Sequence, residues 1–82
     1  EFSNLISIYP NPADNQVIIS NKTKQTIQKV IISDMSGKRI QDVNLNNSLA
    51  ENPISIQSLP TGTYLLQIVG EKQTVIKKLI KK

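Results

Sequence analysis

The chain has 82 residues and a formal charge of +4, with no cysteine, histidine or tryptophan. One small domain fits this length, burying roughly 60% of its unfolded surface. Disulfides, thiolate metal sites and a Ser-His-Asp triad are excluded outright, and any chemistry falls to carboxylates, lysines and hydroxyls. No apolar run approaches the ~20 residues that a helical membrane span needs.

Thirteen isoleucines and five valines dominate the apolar set. These side chains are stiff at the first torsion and fit a pleated surface better than a helix, so the composition already favours β structure. The apolar runs have strand length, with turn residues between them at about the 8–12-residue spacing of an all-β sandwich. Residues 1–4, including Glu1 and Phe2, read as a linker or an appended remnant. No signal peptide opens the chain, so an exported protein would carry its address upstream or in this segment itself.

The first strand is expected over Leu5–Tyr9 and the second over Gln16–Ser20. Between them "YPNPADN" places Pro10 and Pro12 around Asn11. Proline has no N–H for a sheet ladder, so Pro10 should end the first strand and Pro12 fix a turn, with Asn11 bonding nearby backbone. The third strand, Thr26–Ser33, has an ambiguous inward face because Ile27 and Ile31 conflict in parity with Val30 and Ile32. The fourth is expected over Lys38–Leu45. Asp34 and Gly37 lie just before it, the one suited to cap a turn and the other to adopt a left-handed conformation, which predicts a hairpin. After an Asn-rich loop come Ile54–Gln57 and Gly62–Val69, the latter with Tyr64, Leu66 and Ile68 on one face. Tyr64 should fill the core while its hydroxyl reaches a backbone acceptor. Gly70 then predicts a second hairpin into Thr74–Ile80.

The ending "VIKKLIKK" fits a helix by periodicity, since Val75, Ile76, Leu79 and Ile80 share one arc and Lys77, Lys78, Lys81 and Lys82 the other. Eight residues are too few for a lone helix in water, and a hairpin partner directly precedes them. An edge strand is therefore expected, its lysine stems lying along the sheet and its charges discouraging further strand addition.

Candidate chemistry is sparse. Glu1, Asp14, Asp34, Asp42, Glu51 and Glu71 fall mostly in turns and loops and read as solvated residues. Asn11, Asp14 and Asn15 offer oxygens but lack the ligand density of a calcium loop. "LPTG" at Leu59–Gly62 has only part of a sortase motif, and the sequons at Asn21 and Asn46 read as chance in an Asn-rich chain. The aromatics are far in sequence from the lysine cluster, which argues against a nucleic-acid surface. No catalytic, cofactor or metal residue can be nominated, so an enzyme is the least expected class.

Four segments, "ISIYPNPADNQV", "VIISDMSGKRI", "LPTGTYLLQI" and "KQTVIKKLIKK", together resemble one family over about Ile6–Lys82. It is the C-terminal sorting domain, type A, of proteins exported by the type IX (Por) secretion system of Bacteroidetes. The resemblance implies an immunoglobulin-like β-sandwich of about seven mostly antiparallel strands at the end of a longer cargo protein. It implies as partners the outer-membrane translocon, a shuttle protein and a sortase-like cell-surface protease, with periplasmic transit before the cargo reaches the surface or the medium. Pro10, Asn11, Pro12, Asp34, Gly37, Gly62 and Tyr64 match the sorting motifs. Lys77 to Lys82 match the terminal segment, and Val75, Ile76, Lys77, Lys78, Leu79, Ile80, Lys81 and Lys82 are expected to present backbone edge and ammonium groups to the translocon. Gly62→Val or Tyr64→Ala should block export through unfolding. An adhesive, carbohydrate-binding or spacer module at the end of a surface protein is the competing reading, and three aromatics offer little material for a sugar platform.

Overall fold

A computed structural model describes residues 2–82; Glu1, counted above with the linker and the carboxylates, lies outside them. The chain begins with a single helical turn, α1 (Phe2–Leu5), followed by seven strands: β1 (Ile6–Tyr9), β2 (Gln16–Asn21), β3 (Ile27–Asp34), β4 (Arg39–Asn47), β5 (Glu51–Ser55), β6 (Gly62–Gly70) and β7 (Thr74–Lys81). They form two sheets, one ordered β1-β2-β5 and the other β4-β3-β6-β7, with every strand pair antiparallel. The expected all-β sandwich is thus the observed architecture.

The core lies between the sheets. Val17, Ile19 and Ile54 face it from the three-stranded sheet, and Val30, Ile32, Leu66, Ile68 and Leu79 from the other. Each such side chain contributes about 1.5–3 kcal/mol by leaving water. The parity conflict in β3 is resolved by a register shift between Ile27 and Lys29 against both neighbours. An extra residue there lets Ile27 and Val30, three positions apart, both point inward. Ile31 turns to the opposite face of this central strand and is still only 5% exposed.

Both expected hairpins form. At the first, Asp34 Oδ1 accepts from the Ser36 and Lys38 amides and the Ser36 hydroxyl, while Gly37 takes φ +93°. At the second, the Gly70 amide donates to the Gln73 carbonyl at 2.7 Å. Gly70 also makes room for Phe2, because a Cβ there would lie 2.9 Å from the ring's Cζ. Phe2, expected in a linker or remnant, is instead buried in the core. A single apolar residue carries no periodicity, so its packing could not be read locally.

β5 begins three residues earlier than expected and includes Pro53, which an edge strand tolerates. Asn52 pulls this segment inward: its side-chain amide and that of Asn47 each donate to the other's oxygen, at 3.2 and 3.0 Å. A comparable device shapes the β2–β3 loop, where buried Asn21 accepts from the Thr23 amide and donates to the Gln25 carbonyl. The first sequon asparagine is therefore committed inside the fold.

Candidate functional site

The sequence placed its two main motifs at opposite ends of the chain, and the structure brings them together. β1 and β7 are edge strands of different sheets. After Tyr9 the chain leaves β1, crosses to β7, and returns as β2. Ala13, fully buried, forms an isolated parallel bridge with Lys81. Its amide donates to the Ile80 carbonyl and its carbonyl accepts from the Lys82 amide, both at 2.8 Å. Asn11 completes the contact: Nδ2 donates to the Lys78 carbonyl and Oδ1 accepts from the Ile80 amide, each at 2.9 Å.

Asn11 thus bonds not its own turn, as local reasoning expected, but a strand almost seventy positions away. Its carboxamide supplies one donor and one acceptor in a plane, which makes it a substitute for a peptide group on the edge of β7. The prolines on either side bring no amide of their own to this edge.

β7 divides the eight terminal residues by face. Val75, Leu79 and Lys81 point inward and are buried, Lys77 is half-buried, and Ile76, Lys78, Ile80 and Lys82 point out. Lys81 Nζ turns back to the Lys82 carbonyl at 3.1 Å. Lys82 approaches Asp14 at 4.0 Å with both side chains largely exposed, an ion pair of little energetic weight. The ammonium groups are therefore not equivalent, and Lys78 is the one at the centre of the exposed face. Ile76, 62% exposed, and Ile80, 43% exposed, lie on either side of it.

The backbone edge is also divided. Because the N–H and C=O of Ile80 point away from β6, strand alternation turns those of Thr74, Ile76 and Lys78 the same way. The corner takes the Lys78 carbonyl, both Ile80 groups and the Lys82 amide. Among the described residues nothing pairs with the outward backbone groups of Ile76.

Of the other residues singled out in the sequence, Gly62 and Tyr64 lie on β6 opposite Lys81 and Leu79, and Asp34 and Gly37 form the β3–β4 turn. The Tyr64 ring is buried and its hydroxyl donates to the Pro60 carbonyl at 2.5 Å, as the sequence suggested. Gly62 has no left-handed φ, and a Cβ there would meet the Tyr64 ring at an ordinary 3.9 Å. The unfolding expected of Gly62→Val therefore has no backbone cause; its source would be the outer methyls of valine against that ring. Asp34 has its carboxyl held below the usual range, chiefly by the Ser36 hydroxyl and then by the Lys38 amide. Across the three-stranded sheet, Tyr9 donates its phenolic proton to Glu51, which raises the phenol above its ordinary value.

Beside the corner an open cleft of about 560 Å³ is lined by Pro10, Asp14, Asn15, Gln16, Ser55 and Gln57. Asp14 is the one titratable group in that lining. Among the described residues no three His, Cys, Asp or Glu converge to hold a metal ion. No helix among them is long and apolar enough to cross a membrane.

The structure defines a two-sheet sandwich whose first corner is pinned to its basic last strand. Comparison with protein families gives the class its name. The model of the secretion system C-terminal sorting domain matches residues 7–82, nearly the whole chain, and the chain belongs to that family. Among curated proteins no significant match is found. Membership makes this a type IX secretion signal, associated with a cargo upstream and directed toward the cell surface or beyond.

Proposed function

We propose that this domain works without catalysis as an immunoglobulin-like targeting tag, and that β7 is the element the outer-membrane translocon and its shuttle protein recognise. The cargo would cross the periplasm first, and a sortase-like protease would remove the tag at the cell surface. The observation that carries this reading is the half-open edge of β7. Among the described residues the outward backbone groups of Ile76 are unpaired, with the Ile76 and Lys78 side chains exposed beside them. Affinity would come from strand pairing and selectivity from lysine. A small, stable tag suits this role because one receptor must read it on many unrelated cargoes.

A passenger fused to the chain, in a host with the secretion system, tests the reading. Deleting Val75–Lys82 should trap the passenger in the periplasm, but it also removes Val75 and Leu79 from the core. The sharper variant is Ile76→Ser with Lys78→Glu, which alters only outward side chains. Lost export with an unchanged urea midpoint is expected. Normal export of that folded variant would overturn the assignment, and a spacer module would fail to redirect even with the native sequence.

A further inference from the structure

An edge strand is a template for any extended chain, including another copy of itself. β7 spans eight residues, and among the described residues its outward backbone groups are unpaired at Ile76. The second half is covered from within the chain by a segment suited to cover it. Asn11 presents both a donor and an acceptor to Lys78 and Ile80, two positions apart along the strand. Aspartate at that position would lack the donor, and leucine would lack both groups. Ala13 is small enough to be wholly buried while its backbone bridges Ile80 and Lys82. Pro10 and Pro12 have no N–H, so the covering segment offers poor material for pairing with yet another strand.

We propose that the Pro10–Ala13 corner is a register stop on the terminal strand. It confines an added strand to Thr74–Lys78, centred on the outward N–H and C=O of Ile76. The surface so defined takes a short extended segment bearing carboxylates, which meet the exposed ammonium of Lys78. A second copy of this chain fits it poorly, because each copy carries a formal charge of +4 and would set lysine against lysine. Asn11 is in these terms a positioning residue: it acts on the partner through β7. The inference rests on the reading of β7 as the recognised strand.

The test uses Asn11→Leu in the 82-residue chain and in the passenger fusion. By amide exchange, Ile80 and Lys82 should lose protection by about tenfold, while Leu79 and Lys81, whose amides face β6, keep theirs. The fusion should export less passenger while its urea midpoint falls by no more than about 1.4 M, the equivalent of that tenfold loss at a urea slope of about 1 kcal/mol/M. Asn11→Ala gives the same readout should the leucine variant fail to fold. Unchanged exchange at Ile80 overturns the stop, as does uniform acceleration along β7, or local opening with normal export. Normal export of Ile76→Ser with Lys78→Glu would instead defeat the parent reading, and the exchange measurement does not depend on it.

Discussion

At Tyr64 a hydrogen bond can be separated from a packing contribution. Its ring is buried beneath Gly62, and its hydroxyl donates to the Pro60 carbonyl at 2.5 Å. Tyr64→Phe keeps the ring and removes the donor. Pro60 is itself exposed, so water can reach its carbonyl and the cost should be about 1 kcal/mol. With a urea slope of about 1 kcal/mol/M for a small domain, the midpoint falls by about 1 M. Tyr64→Ala also empties the ring's volume and should cost about 3–5 kcal/mol. At about 0.05–0.15 kcal/mol per residue the whole domain has roughly 4–12 kcal/mol to lose, so the alanine variant is marginal or unfolded. Urea titration of both variants, with Gly62→Ala as a control expected within about 0.5 kcal/mol, gives the ranking. The phenylalanine fusion should still be exported and the alanine fusion should not. A phenylalanine variant as damaging as alanine would refute the division into bond and ring. A folded alanine variant that is not exported would refute folding as the route by which Tyr64 matters.

Two further outcomes concern the β3–β4 turn. Gly37→Ala forces a Cβ into a φ of +93° with no neighbour within 4 Å to clash, so its cost should be the conformational one alone, about 1 kcal/mol; Gly37→Asn should cost less, read as urea midpoints. Asp34 has a lowered pKa in the fold, so its contribution is present above the ordinary carboxylate value of about 4 and is lost as pH falls from there through the depressed folded value. Titrating the urea midpoint between about pH 2 and 5 should give a shallower acid loss for Asp34→Asn than for the native chain, and equal slopes would show that the turn bonds do not favour the ionised form.

What could be read in advance follows from the range of the interactions. The two hairpins depend on residues within one turn, Asp34 with Ser36, Gly37 and Lys38, and Gly70 with Gln73, so their chemistry is visible in a short window. The terminal strand was also legible, because a hairpin partner outweighs helical periodicity over eight residues. Phe2 was not, since what makes it core is the missing side chain of Gly70, far away along the chain. The start of β5 was not legible either, because an amide pair between Asn47 and Asn52 sets it rather than any apolar pattern.

The corner is the most instructive miss. Local rules correctly end β1 at Tyr9 and assign Asn11 a bond to backbone, but they search for that backbone nearby. In this sandwich β1 and β7 are edge strands of different sheets that lie in contact, and the connection between β1 and β2 passes the open side of β7. Proline, asparagine, proline and alanine in that connection give, in turn, no amide, a peptide-like carboxamide, no amide and a buried backbone bridge. Each alone is an ordinary turn residue. Together they fit the outward groups of a strand, and that partner can be recognised only once the topology sets the two ends against each other. The beginning and the end of the sorting domain are in this sense one structural unit, and a substitution at Asn11 should report at Ile80 before it reports anywhere in the turn that contains it.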